Sequence, residues 1–235
     1  MTMTIHGKNA VHEAIKANRR VHEIITQANA DVSFLRSLDK RVRLTTVDKA
    51  QMDARFGAAH QGVAAVVDDY RPIPLKKALE KPGSKLFVML DSVEDPHNLG
   101  AVIRSVDAFG ASGVIIPTRR SASITPTVVK VSTGAIEHVD IIAVTNLNRA
   151  IETLKKANVW VVGTDAATDK TLADIHVDTD LCIVFGSEGK GMHRLVKENC
   201  DYLVGIPMRG HVNSLNVSVA CGVTLHDITR RRRGS

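Results

Sequence analysis

Three polar clusters interrupt apolar runs in this chain, and their residue types can do chemistry. The first is Asp95-Pro96-His97-Asn98, followed by Arg104 about a turn and a half into an apolar-periodic stretch. The second is Phe185-Gly186-Ser187-Glu188-Gly189-Lys190-Gly191, with three glycines in six residues. The third runs from Val204-Gly205-Ile206-Pro207-Met208 to Ser214-Leu215-Asn216-Val217. Glycines admit close backbone approach to a ligand. Loop-to-helix junctions offer unpaired backbone N–H and C=O groups. Asn98, Asn216 and Ser214 bring hydrogen-bonding side chains, Glu188 a carboxylate and Arg104 a permanent cation that can orient or stabilise developing negative charge. Each has a plain alternative. Asn98 and Asn213 or Ser214 read as helix caps, and Glu188 as a carboxylate favourable to a helix start. Arg104 reads as a surface arginine paired with Asp107 or Asp95.

Several chemistries are excluded. A Walker loop needs Ser or Thr after Gly189-Lys190, and Gly191 stands there. The turn after the strand at 86–90 carries Asp-Pro-His-Asn-Leu-Gly and not the dinucleotide pattern Gly-x-Gly-x-x-Gly. No Gly-x-Ser-x-Gly elbow occurs. Cys182, Cys200 and Cys221 are odd in number and widely spaced, so structural thiols are expected and no metal site. Aromatic residues make up only 3% of the chain, which leaves no evident stacking platform for single-stranded bases. No signal pattern or membrane-length apolar run is visible, so a cytoplasmic protein without a membrane partner is expected. The net charge of +6 is uneven. Residues 1–70 contribute +2, residues 71–85 contribute +4, and the remainder sums to zero only because of Arg230–Arg233 at its end. The basic first segment, connector and tail are plausible phosphate contacts, with a solvated surface or a disordered tail as the plain reading.

The elements that must position these residues follow from periodicity. Residues 1–70 read as a small α/β unit, in which Ile5–Ile15 is a helix with Val11, Ala14 and Ile15 on one face. Strands follow at Val21–Thr26 and Val42–Val47 and after Gly62, with helices at Ala30–Leu38 and Asp48–Phe56. Residues 71–84, with Pro and Gly at both ends of a short helix at Leu75–Glu80, read as a linker. Residues 85–235 alternate strand and helix. Strands are expected at Leu86–Leu90, Gly113–Ile116, Val139–Ala143, Val159–Gly163, Leu181–Phe185 and Tyr202–Ile206. Helices are expected at Asn98–Phe109, Thr127–Ser132, Asn146–Asn158, Met192–Asn199 and Leu215–Ile228. Apolar strands separated by helices predict a largely parallel sheet covered on both faces, with its ligand beyond the strands' carboxyl ends.

The three clusters, in this order and spacing, resemble the three motifs of the SPOUT RNA methyltransferases, in the SpoU/TrmH branch. Gly7-Lys8-Asn9-Ala10-Val11 and His60-Gln61-Gly62-Val63 resemble the L30e-like substrate-binding domain of the RlmB-type 23S ribosomal RNA guanosine 2′-O-methyltransferases. The resemblance implies an α/β fold with an L30e-like N-terminal domain and a C-terminal SPOUT domain tied in a trefoil knot. Chain physics alone would not predict a knot. It further implies S-adenosyl-L-methionine as cofactor, held by Gly186, Ile206 and Leu215 with Met208 lining the pocket. Arg104, Asn98, Glu188, Ser214 and Asn216 become the catalytic set, and Lys130–Ala135 a possible substrate contact. The implied partners are large-subunit ribosomal RNA and a second copy of the chain, with the active site at the dimer interface and no DNA. Transfer RNA as substrate, a non-catalytic RNA-binding protein of the same fold, and a small-molecule nucleotide enzyme are the alternatives.

Overall fold

The structure, a computed structural model, describes residues 1–31, 33, 35, 42–119, 121–211 and 214–233. The helix expected at Ala30–Leu38 falls largely outside the described residues. The chain divides into two compact units, Met1–Arg71 with Ile124–His138, and Pro72–Ser123 with Val139–Ser235.

In the first unit a four-stranded sheet runs in the order β1-β4-β2-β3. β1 is Thr2–His6, β2 Val21–Gln27, β3 Arg43–Val47 and β4 Val63–Asp68. β4 is antiparallel to both β1 and β2, and β2 is parallel to β3. The stretch expected as one helix from Ile5 is therefore a strand, a turn at Gly7 with φ +101°, and then α1, Lys8–Lys16. Of the expected face Val11 and Ala14 are buried, with Ala10, and Ile15 is half-buried. α2, Lys49–Phe56, starts on a capping box in which Asp48 and Gln51 satisfy each other's backbone N–H groups.

Residues 124–138 complete this unit. α5 is Pro126–Val131, and α5 lies against β1. The end of the segment is tied down by a buried ion pair, Arg19 to Glu137 at 2.6 Å, with side chains 8% and 5% exposed. Glu13 also contacts His138 at 2.8 Å. Gly134 sits at φ +93°, where a Cβ would come within 2.7 Å of Glu13. The Lys130–Ala135 stretch thus has a structural job: Ser132 is fully buried and its hydroxyl donates to the Val129 carbonyl.

The second unit is built on six parallel strands in the order β10-β8-β9-β5-β6-β7. These are β5 Leu86–Leu90, β6 Gly113–Pro117, β7 Asp140–Val144, β8 Trp160–Thr164, β9 Leu181–Phe185 and β10 Tyr202–Val204. Every residue of β5 and β9 is buried, as continuous apolar runs in a doubly covered parallel sheet require. Phe87, Met89, Cys182 and Val184 join one core cluster with Leu75, Ala78, Ile151, Leu154 and Val196. Those last five belong to α3 (Leu75–Glu80), α6 (Leu147–Lys156) and α7 (Arg194–Asn199). Alternation along the strand sends Val88 and Leu90 to the opposite face. α4, Pro96–Ala108, packs against β6 and against α8, Val217–Arg233. The stretch read as a linker is folded here: Ile73 donates to Ile141, and Leu75 and Ala78 enter the core. Apolar residues at helical spacing outweigh the flanking prolines.

Arg230–Arg233 form the last turn of α8 and not a loose tail. Arg231 donates to the carbonyls of Leu172, Ala173 and Ile175, and Arg232 to those of Val177, Thr179 and Lys85. Guanidinium groups here satisfy loop carbonyls, which makes these two arginines structural.

Candidate active site

The chain leaves β5 toward β6 on one side and reaches β9 on the other. The crevice beyond the ends of β5 and β9 is therefore the topological switch point of the sheet. The three polar clusters meet there. α4 is capped by Asp95, which accepts from the His97 N–H at 2.9 Å, with Pro96 as the first helical residue. Asn98 is thus not the cap, and its side chain is free to reach out. Its oxygen accepts from Asn216 Nδ2 at 2.9 Å and its nitrogen donates to Glu188 Oε1 at 3.4 Å. Asn216 Nδ2 also donates to Glu188 Oε1. An amide NH2 carries two protons, so both bonds are met at once.

The cap of α8 is Asn216 as well, in place of Ser214; Asn213 lies outside the described residues. Asn216 Oδ1 accepts from the Ser218 N–H at 3.0 Å and the Ser218 hydroxyl at 2.6 Å. Glu188 accepts from the Val217 N–H at 3.3 Å, setting a carboxylate on the positive end of a 17-residue helix. One residue from each of the three clusters forms this knot of hydrogen bonds.

Beside it lies a cavity of about 390 Å3, within the range of small-molecule sites. Gly186, Ile206, Met208 and Leu215 all line it, together with Glu188 and Ser214. Gly186 has no room for a side chain: a Cβ would come within 2.1 Å of the Gly191 carbonyl carbon. The Gly-rich loop closes on itself through reciprocal Ser187 and Gly191 backbone bonds, with Gly189 and Gly191 at positive φ. Among the described residues no hydrogen bond engages the backbone of Ile206, Met208 or Leu215. Apolar walls, free backbone groups and the carboxylates of Glu188 and Asp165 suit an amphipathic ligand carrying positive charge, as S-adenosylmethionine does. Burial pushes the Asp165 carboxyl up. Its bonds from Lys197 at 2.6 Å and the Ala167 N–H at 2.8 Å outweigh that and hold it below the usual carboxylate range.

The SpoU rRNA methylase profile matches residues 85–226, and a profile for RNA 2′-O ribose methyltransferase substrate binding matches residues 4–73. The chain belongs to the SpoU rRNA methylase family. A Staphylococcus aureus relative, named as a candidate TrmH family tRNA/rRNA methyltransferase, is 44% identical over 97% of this chain and 96% of its own. The similarly named YacO of Bacillus subtilis is 43% identical over 96% and 94%. Among solved structures, the SpoU methyltransferase AviRb of Streptomyces viridochromogenes, in complex with AdoMet, matches with a TM-score of 0.86 at 23% identity. It covers all of this chain and 92% of that one. An AdoMet-bound rRNA methyltransferase of Sinorhizobium meliloti matches with a TM-score of 0.83 at 23% identity, over 98% and 87%. These likenesses are of fold, two α/β units with a six-stranded parallel sheet in the second.

Two features of this SpoU site were not expected from the residues. Arg104 is exposed on α4, has no ion pair among the described residues and does not line the cavity of its own chain. The pairing with Asp107 or Asp95 is absent, and Asp95 is occupied as a cap. The second is Asp91, buried to 3% exposure at the end of β5. It accepts from the backbone N–H of His193 at 2.6 Å, from His193 Nδ1 at 2.8 Å and from the Ser92 hydroxyl at 3.1 Å. A carboxylate abutting the carboxyl end of an all-apolar strand is a signal for Asp91. Nothing in the sequence marks His193 as its partner. Among the described residues no group of three or more His, Cys, Asp or Glu could hold a metal, and no helix is long and apolar enough to cross a membrane.

Proposed function

We propose that this protein methylates a ribose 2′-hydroxyl of RNA with S-adenosylmethionine, and that the target is a guanosine of large-subunit ribosomal RNA. The observation that carries the reading is the Asn98–Glu188–Asn216 network beside a cavity lined by Gly186, Ile206, Met208 and Leu215. When bound, the cofactor supplies a methyl group already activated on a sulfonium, so no metal is required of the protein. The protein's work is alignment and proton handling. The network holds the three loops in one geometry. Arg104, always charged, orients the hydroxyl and its neighbouring phosphate, and the phosphate shares the departing proton. Because Arg104 does not line the cavity of its own chain, the reading includes a homodimer in which the site is completed across the interface. Val219 and Val223 of α8, 49% and 42% exposed, are apolar residues available to such a contact. The profile matched by residues 4–73 supports RNA as the substrate.

Transfer RNA is the second reading, because the names of the Staphylococcus and Bacillus relatives give tRNA beside rRNA. The test is transfer of labelled methyl from S-adenosylmethionine to unmodified large-subunit ribosomal RNA, with transfer RNA in parallel. Label on a ribose 2′-oxygen of ribosomal RNA, reduced about 100-fold or more in Arg104→Ala, is the expected result. Label on transfer RNA alone would overturn the substrate. No label on either, with cofactor bound, would favour a non-catalytic RNA-binding protein.

A further inference from the structure

A second cavity, of about 530 Å3, opens on the other side of the Gly-rich loop. Ser187, Glu188, Lys190 and Gly191 line both cavities, so the loop is the wall between them. We propose that this second cavity is the seat of the target base and that it selects guanine. The inference rests on the reading of the chain as an RNA 2′-O-methyltransferase.

Position argues for it first. The carbon that carries the base is bonded directly to the carbon that carries the 2′-hydroxyl. The base must therefore lodge next to the cofactor cavity, on the side of the polar network. A third cavity, of about 370 Å3, also adjoins the cofactor cavity through Ile206 and Met208, but Glu188 is absent from its lining. The second cavity has Glu188 in its wall.

Chemistry argues for it next. The remaining lining includes Glu94, Lys190, Met192 and His193. Glu94 and Lys190 are exposed, and neither has a hydrogen-bond or ion-pair partner among the described residues. Met192, 7% exposed, gives an apolar surface for a ring face. His193 is fixed by the buried Asp91, which takes both its backbone N–H and its Nδ1. Nε2 is left without a partner among the described residues. Ser92 and Asp91 share that same Nδ1, at 3.2 and 2.8 Å. The ring therefore cannot relay a proton from Ser92 through Nε2, and this is no hydrolytic triad. What remains is a carboxylate acceptor, an ammonium donor and an oriented imidazole. Guanine matches this set, because its N1–H and N2–H2 donors stand beside the O6 acceptor. A carboxylate can take the two N–H groups while a cation takes O6.

The test first maps the nucleotide that the wild-type protein methylates. Synthetic RNA fragments then carry guanine, hypoxanthine or adenine at that position, and methyl transfer is compared for wild type, Glu94→Gln and His193→Ala. Melting temperature and S-adenosylmethionine affinity serve as controls. Loss of the N2 amino group is expected to lower kcat/KM for the wild type about tenfold or more. Glu94→Gln should lower kcat/KM on guanine RNA by a similar factor and erase the preference over hypoxanthine, with cofactor affinity unchanged. His193→Ala should raise KM for RNA. Equal methylation of all three fragments by the wild type would overturn the proposal, as would variants that keep the guanine preference. Absence of any transfer by the wild type would instead overturn the functional reading, and the base seat with it.

Discussion

The substitution Gly186→Ala tests the site at its tightest point. Gly186 follows β9 directly and lines the cavity proposed for the cofactor. An added Cβ would lie 2.1 Å from Gly191 C, 2.2 Å from Met192 N and 2.5 Å from Gly191 O. All three are backbone atoms, so no side-chain rotation relieves the clash. The Gly-rich loop would have to retreat on the order of 1 Å to restore ordinary contact. Overpacking of this kind costs roughly 1–3 kcal/mol. Part of that would appear as stability, shifting the melting temperature of a chain this size down by about 2–4 °C for each kcal/mol. The rest would appear in binding, because the retreating loop is a cavity wall, and each 1.4 kcal/mol is a tenfold loss of cofactor affinity. Gly210→Ala is the control: its Cβ would meet nothing within 4 Å and its φ is not positive. Calorimetric titration with S-adenosylmethionine and thermal melts on both variants are the assay. Gly210→Ala should match the wild type, and Gly186→Ala should bind several-fold to about tenfold more weakly and melt lower. Wild-type affinity and melting temperature in Gly186→Ala would refute the assignment of this loop as the cofactor wall.

Three further outcomes are expected. Arg231→Ala combined with Arg232→Ala should destabilise the protein by about 2 kcal/mol or more in denaturant unfolding, because six loop carbonyls lose charged donors; an unchanged midpoint would contradict that role. Glu137→Ala should cost about 3–5 kcal/mol by leaving Arg19 buried and unpaired, whereas Arg19→Met with Glu137→Leu should recover most of it, as unfolding curves would report. Burial pushes the thiols of Cys200 and Cys221 up to about 12 and Cys182 well above its usual value, so at pH 8 a thiol-reactive disulfide should label the folded protein far more slowly than the denatured one.

How much of this was legible depends on whether the decisive partner lies nearby in the chain. β5 and β9 read directly, because a run of five buried residues leaves a continuous apolar string. The caps did not. Asn98 and Ser214 are good capping types, but Asp95 and Asn216 are equally good. For α4 the better signal was Pro96, which favours the first helical position and puts the cap one residue before it. β1 was hidden because it ends at His6 and α1 begins at Lys8, so that Gly7 alone, with its positive φ, separates strand from helix. Asn98, Glu188 and Asn216 were brought together by likeness to a family, not by periodicity; they are separated by 90 and 28 residues. Asp91 and His193 lie 102 residues apart, and no motif paired them.

The charge of the chain shows the same limit. A net +6 is weak support for an RNA partner, and the fold weakens it further by committing several cations to internal work. Arg19 is buried against Glu137, and Arg231 and Arg232 hold loop carbonyls. Lys85, 6% exposed, donates to the Lys81 and Gly83 carbonyls, while Lys155 and Lys197 pair with Asp201 and Asp165. Arg104, Lys190 and Arg209, by contrast, are exposed and carry no ion pair among the described residues. Each belongs to one of the three polar clusters. Exposed cations without an ion pair among the described residues also stand elsewhere, Arg55, Lys77 and Lys156 among them. An anionic substrate at the three clusters would meet Arg104, Lys190 and Arg209, and phosphate contacts of this kind position a nucleic acid without reading its sequence.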